Sequence, residues 1–117
     1  MMNSSLSAFH PLIHSWFLDT IGSPTDIQEK AWPEIASGRN VLITAPTGSG
    51  KTLTAFLWAL NKLIRGEWSS GVTSVLYISP LKALNNDIQR NLLGPLRELK
   101  DVFEKAGEPF PDIRVLT

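Results

Sequence analysis

The residues of this chain best suited to chemistry form one run, Ala45-Pro46-Thr47-Gly48-Ser49-Gly50-Lys51-Thr52. The run matches the phosphate-loop pattern G-x-x-x-x-G-K-[ST] except at its first position, where Ala stands in place of Gly. Gly48 and Gly50 permit a tight backbone wrap whose N–H groups converge on phosphate oxygens. The pattern therefore predicts a site for the phosphates of a nucleotide.

Two side chains at the end of the run would act on those phosphates directly. Lys51 would bring a cation to them, and the Thr52 hydroxyl can ligate Mg²⁺, so we expect both residues to serve catalysis and Thr52 to bind the metal. The remaining phosphate-binding positions would be Thr47, Gly48, Ser49 and Gly50. The alternative is a turn without a ligand, but a strand-like segment before the run and a helical one after it favour phosphate binding.

The elements that must position this loop alternate between strand-like and helical patterns. The segments NVLITA (40–45), TSVLYIS (73–79) and DIRVLT (112–117) are short, apolar and rich in β-branched residues, as buried parallel strands are. A helix from about residue 50 to 65 follows the loop, and its predicted inward residues are Leu53, Phe56, Leu57, Leu60, Leu63 and Ile64. This alternation predicts an α/β fold with parallel strands joined by crossover helices.

Further helices are predicted on both sides of the loop and its helix. One spans 11–21, bounded by Pro11 and Gly22, and a second spans 25–37 with Thr25 as its cap and Pro33 inside it. An apolar helical stripe from residue 81 is predicted to break at Gly94-Pro95, and its continuation to end at Gly107.

The composition fits one globular domain. The 117 residues are 43% hydrophobic and 19% charged, and 11 basic residues balance 11 acidic ones, so the basic excess typical of free-standing nucleic-acid-binding domains is missing. The absence of cysteine excludes disulfides and thiolate sites, and two histidines give no recognisable zinc pattern. With no signal peptide and no bilayer-length apolar run in the sequence, we expect a cytoplasmic protein.

Three motifs in a fixed order resemble those of superfamily 2 helicases. GSPTDIQ (22–28) resembles the Q motif, APTGSGKT (45–52) resembles motif I, and YISPLKAL (77–84) resembles motif Ia. The SPLKAL form, the later N-L-x-x-P-L and the opening F-H-P-x-x-x-x-W-F are most similar to the large helicase-related group of DEAD/DEAH-type proteins. The resemblance covers residues 9–117.

The resemblance implies a partial RecA-like P-loop NTPase domain, the first motor lobe of an ATP-dependent helicase. ATP and Mg²⁺ would be the cofactors, with Gln28 reading the adenine edge and Thr25 assisting from the same motif. The family's nucleic-acid contacts would fall on Ser79, Pro80 and Lys82, which would grip the phosphate backbone independently of sequence. The partner would be nucleic acid, with DNA favoured over RNA.

Motif Ia departs from the DEAD-box form. DEAD-box proteins usually read P-T-R-E-L-A there, whereas this chain has Lys82 where they have Arg, which keeps the charge but loses the bidentate fork. That disfavours a DEAD-box RNA helicase proper. Phe9 could stack on adenine, but we favour a core role for it, as for the four Trp residues.

Hydrolysis in such motors needs an Asp–Glu pair, and no two acidic residues are adjacent in this sequence. We therefore expect residues 1–117 to be the N-terminal part of the ATP-binding domain, ending before the Walker B motif, missing its C-terminal motor portion and inactive alone. In the family, later strands insert between the early ones, so the three predicted strands would lack neighbours. The alternatives are a small P-loop kinase and a non-catalytic nucleotide-binding or interaction protein.

Overall fold

The computed structural model describes residues 5–44, 50–69, 72–78, 86 and 88–116. In chain order, the described elements are a 3-10 helix at Ser5–Ala8, α1 at Pro11–Thr20, α2 at Asp26–Ala36, α3 at Lys51–Ile64, a π-helical turn at Gln89–Leu93 and α4 at Gly94–Ala106.

The predicted bounds of α1 are confirmed, but its cap was not foreseen. The unprotonated Nδ1 of His10 accepts a hydrogen bond from the Leu12 N–H at 3.0 Å, and so takes the place of the usual Ser, Thr or Asp cap. The His10 N–H in turn donates to Asn61 Oδ1 at 2.8 Å, which ties the start of α1 to α3. Gly22, at a φ of +104°, follows the last turn and donates its N–H to the Phe17 carbonyl.

The predicted cap of α2 is also confirmed. Thr25 Oγ1 accepts from the Gln28 N–H at 3.3 Å, and Gln28 Oε1 accepts from the Thr25 N–H at 2.9 Å. This reciprocal pair is a capping box, here with Gln at its third helical position. The helix continues through Pro33 to Ala36.

Helix α3 supplies one side of the core. Four of the inward positions predicted for it, Leu53, Phe56, Leu57 and Leu60, are buried, and Trp58 is buried beside them. The other two, Leu63 and Ile64, are only partly buried. Leu53, Leu57, Trp58 and Leu60 belong to one core cluster with Phe9, which lies between the 3-10 helix and α1. The rest of the cluster comes from the 3-10 helix, α1, α2 and α4, namely Leu6, Ile13, Trp16, Phe17, Trp32, Leu99 and Phe103. Within the described residues, no helix has both the length and the apolar character that crossing a bilayer demands.

Aromatic rings join the N-terminal elements to α2 and α3. The Phe9 ring meets Trp32 edge-on at 5.0 Å between centroids and Trp58 at 5.2 Å, and Phe17 meets Trp32 at 5.6 Å. The core role predicted for Phe9 and for three of the four Trp residues is therefore confirmed, since Trp16, Trp32 and Trp58 are all buried.

The predicted boundary at Gly94-Pro95 is present as a change of helix type, from π-helical to α-helical, and the backbone stays helical across it. A π-helical turn at Gln89–Leu93 leads directly into α4. In this turn the hydrogen bonds span five residues, as between the Gly94 N–H and the Gln89 carbonyl. Pro95 is the second residue of α4, a position whose backbone N–H has no partner within that helix, so the missing N–H of proline is tolerated there. The end predicted at Gly107 is confirmed, with a φ of +73° and the Glu108 N–H bonded back to the Phe103 carbonyl.

The three predicted strands are not confirmed. Described residues 40–44, 73–78 and 112–116 form neither helix nor strand, and none of them pairs in a ladder with another described segment. Leu42, Leu76, Ile78 and Leu116 are each more than 80% exposed. A parallel strand is stabilised only by hydrogen bonds to neighbouring strands and by helices on both faces, and these segments have no such neighbours among the described residues.

We predict that the stability of the fold depends on the buried Leu57 of α3 and not on Leu18, an exposed leucine of α1. Leu57→Ala removes a fully buried side chain and should lower the free energy of unfolding by about 2–5 kcal/mol. Leu18→Ala, at a position that is 50% exposed, should change it by no more than about 0.5 kcal/mol. Urea unfolding followed by circular dichroism measures both, and equal losses would contradict this account of the core.

We also predict that acid weakens the fold through the His10 cap. Burial lowers the pKa of His10 below its usual 6.5, the nearby Arg65 cation lowers it further, and Glu108 raises it. The unfolded chain therefore takes up this proton at a higher pH than the folded chain does. Stability from His10 is complete above pH 6.5 and falls as the pH drops through 6.5 towards the lower folded pKa.

The comparison variant is His10→Asn, which keeps a capping acceptor but does not titrate. Unfolding free energies measured at about pH 7.5 and about pH 5.5 should differ more for the unaltered chain than for His10→Asn. An identical pH dependence for the two proteins would show that the cap does not sense protons.

Candidate nucleotide-binding site

Gly50 is the sixth residue of the phosphate-loop run and precedes the first residue of α3. It is the N-terminal cap of the helix, with φ +89° and ψ 16°, a left-handed conformation that residues with a Cβ rarely adopt. A Cβ built there would lie 2.6 Å from Gln28 Nε2 and 3.7 Å from Thr25 Oγ1. Glycine is thus required at position 50 for its backbone conformation and for the close approach of α2.

Gln28 is the residue that brings α2 against the loop. Its side chain is buried, 2% exposed, and its Nε2 lies 3.4 Å from the Gly50 carbonyl oxygen, 22 residues along the chain. Its Oε1 accepts from the Thr25 N–H in the capping box. Among the described residues, Nε2 thus donates to Gly50 and Oε1 accepts from Thr25, and an amide can form a further hydrogen bond at each atom.

Lys51 and Thr52 are the first two residues of α3, and both are half-buried. The N-terminal end of a 14-residue helix carries partial positive charge and backbone N–H groups that favour an anion. The ammonium group of Lys51 adds a full charge at the same end, and Thr52 adds a hydroxyl of the kind that Mg²⁺ accepts as a ligand. The donors at this helix end therefore fit a magnesium-bound phosphate group.

The other predicted site residues lie outside the described part of the chain. These are Thr47, Gly48 and Ser49 of the loop, and Ser79, Pro80 and Lys82 of the predicted nucleic-acid contact. The described residues accordingly bring together Thr25, Gln28, Gly50, Lys51 and Thr52, which come from two predicted motifs.

Two residues near Gly50 were missed by the sequence reasoning. Thr54 is fully buried and its hydroxyl donates to the Gly50 carbonyl at 2.5 Å, while Trp32 Nε1 donates to the Thr54 carbonyl at 2.9 Å. A Thr at the fourth helical position, in reach of the carbonyl four residues earlier, was the available signal. The Trp32 contact joins residues 22 apart in sequence and had no such signal.

The sequence of this chain is similar to a known protein family. The profile described as DEAD/DEAH box helicase matches residues 25–109. The Lhr helicase/probable uracil glycosylase of Mycolicibacterium smegmatis is 49% identical over 112 residues, which are 94% of this chain and 7% of that protein. The ATP-dependent helicase Lhr-Core protein 2 of Thermococcus barophilus is 50% identical over 107 residues, 88% of this chain and 12% of that protein.

The fold of this chain is also similar to that of a solved helicase structure. The helicase Lhr of Mycobacterium smegmatis, bound to ssDNA and AMP-PNP, superposes with a TM-score of 0.82 at 46% identity, covering 95% of this chain and 14% of that one. This chain thus spans between about one fifteenth and one seventh of the length of these relatives. The resemblance seen in the three motifs is confirmed, and because the family profile matches well over half of the sequence, the chain belongs to the DEAD/DEAH box helicase family.

Proposed function

We propose that this chain is the ATP-binding segment of an ATP-dependent nucleic-acid helicase, and that residues 45–52 hold the phosphates of Mg-ATP. The observation that carries the proposal is the contact of Gln28 with Gly50, which places the Q-motif amide against the end of the phosphate loop. The left-handed Gly50, opening a helix whose first residue is Lys51, is the local structure that phosphate binding needs.

Each residue has a distinct part in this proposal. Lys51 neutralises phosphate charge, Thr52 is the protein ligand of Mg²⁺, and the backbone of Thr47, Gly48, Ser49 and Gly50 donates N–H groups. When bound, Mg²⁺ would supply positive charge that offsets the negative charge of the phosphates. Gln28, held by the Thr25 capping box, selects adenine with its remaining hydrogen and lone pair.

Nucleic acid is the proposed partner, and single-stranded DNA is favoured over RNA. The support is the relative whose solved structure contains ssDNA and AMP-PNP, together with the helicase names of the curated relatives. Ser79, Pro80 and Lys82 are the proposed contacts to the phosphate backbone, with Lys82 supplying the charge.

The proposed domain is a partial RecA-like α/β motor lobe spanning residues 1–117. Its three strands would form only when strands from elsewhere pair with them, which agrees with the exposure of Leu42, Leu76 and Ile78. Since the sequence has no adjacent pair of acidic residues to position Mg²⁺ and water, we propose that these residues bind ATP without hydrolysing it.

We predict that Lys51→Ala weakens ATP binding by about tenfold or more, because a charge-assisted contact to the phosphates is lost. The matched control is Lys62→Ala, which removes the same charge about 16 Å further along α3, where Lys62 pairs with Glu67 at 2.7 Å. Calorimetric titration with Mg-ATP measures both. Equal affinities of Lys51→Ala and the unaltered chain would contradict the proposed function.

A second prediction concerns the choice of base. Gln28→Ala should reduce the preference for ATP over GTP, because the amide that pairs with the adenine edge is gone. The ratio of the two dissociation constants is the measurement, and Glu29→Ala, an exposed neighbour on α2, is the control. If Gln28→Ala weakens both nucleotides by the same factor, Gln28 holds the loop through Gly50 and does not read the base.

A further inference from the structure

Within the part of the chain that the structure describes, three donors lie within hydrogen-bond distance of the Gly50 carbonyl oxygen. The Thr54 N–H lies 3.0 Å from it, the Thr54 hydroxyl 2.5 Å and Gln28 Nε2 3.4 Å. The first is the ordinary opening bond of α3, and the other two come from side chains of different helices. A Thr hydroxyl often bonds the carbonyl four residues earlier in a helix, but here that carbonyl belongs to the left-handed glycine that ends the predicted phosphate loop.

Holding this oxygen fixes the peptide that joins Gly50 to Lys51. A trans peptide is planar, with its C=O and N–H pointing in opposite directions. When the Gly50 oxygen is held towards Thr54, the Lys51 N–H is directed out of the N-terminal end of α3, where the proposed phosphates lie. Glycine rotates more freely than any other residue, so an external restraint on this peptide has a larger effect here than elsewhere.

Thr54 is itself held in place. Its side chain is fully buried, and its own carbonyl accepts from the indole N–H of Trp32 at 2.9 Å. Trp32 is in turn 1% exposed and in edge-on contact with Phe9 and Phe17. The hydroxyl therefore sits in a packed environment that keeps it on the Gly50 oxygen.

We propose that Thr54 is a positioning residue for the nucleotide's phosphates, because its hydroxyl orients the Gly50–Lys51 peptide so that the Lys51 N–H faces them. This inference rests on the proposed function of the loop and adds to it a residue outside the phosphate-loop pattern. Thr54 does not touch the ligand, and its effect passes through the Gly50 carbonyl.

The experiment titrates the chain with Mg-ATP and, separately, with inorganic tripolyphosphate, which probes the phosphate site without a base. Thr54→Val keeps the shape of the side chain but removes the hydroxyl, and should weaken binding of both ligands roughly fivefold. Thr54→Ser keeps the hydroxyl and should bind both within about twofold of the unaltered chain. If Thr54→Val does not fold by circular dichroism, Thr54→Ala, which cannot clash, replaces it.

Two control variants separate the possible failures. Leu60→Val removes a buried methylene further along α3 and so lowers stability without reaching Gly50. If it weakens both ligands as much as Thr54→Val does, the effect is general destabilisation and the proposal is overturned. Lys51→Ala reports on the loop itself: if it leaves both affinities unchanged, the proposed function is wrong and the role of Thr54 falls with it.

The remaining outcomes decide the role of Thr54 when Lys51→Ala does weaken binding. Unchanged affinity of Thr54→Val, or equal weakening by Thr54→Ser, would overturn the role of the hydroxyl while leaving the proposed function in place. If Thr54→Val weakens binding of ATP but not of tripolyphosphate, the effect acts on the base, and the claim that Thr54 orients the peptide towards the phosphates is contradicted. Parallel loss for both ligands with rescue by Thr54→Ser is the expected result.

Discussion

The contact between Gln28 and Gly50 is the interaction on which the candidate site depends. It joins the first turn of α2 to the cap of α3 across 22 residues, and a Cβ at position 50 would lie 2.6 Å from Gln28 Nε2 and force the amide to move. Any side chain at position 50 would meet the Gln28 amide at less than van der Waals distance, and would also be strained at that φ. A single glycine thus satisfies two separate constraints, one of backbone conformation and one of packing.

The core explains why this contact can be maintained. Trp32 lies one turn beyond Gln28 on α2, is buried, and bonds the Thr54 carbonyl one turn into α3. Phe9 and Phe17 pack edge-on against the same indole ring, so the residue before His10 and helix α1 both contact the α2–α3 junction. The aromatic residues at the N-terminus therefore act on the site through packing, and contact with a base is not required of them.

The helices and the strand-like segments differ in how much of their stability is local. A helix satisfies its own backbone hydrogen bonds and needs only one buried face, so α1 to α4 form from this chain alone. A parallel strand satisfies its hydrogen bonds only through its neighbours, and residues 40–44, 73–78 and 112–116 have none among the described residues. The membership of the family and the absence of strands in the described residues are therefore compatible observations.

Local spacing and residue chemistry in the sequence were enough to predict the bounds of α1, α2 and α3, the caps at Thr25 and Gly107 and the order of the motifs, and they named the candidate phosphate-binding residues. The sequence did not predict the π-helical turn, because the expectation that Gly and Pro interrupt a helix is based on an isolated helix. In the folded chain α4 also contacts α1, where Trp16 donates a hydrogen bond to Glu98. The contact of Gln28 with Gly50 and that of Trp32 with Thr54 became known from the folded structure alone, since both depend on how α2 packs against α3. A contact between distant segments leaves no periodic signal in one sequence, and its partners become visible only when the chain is folded.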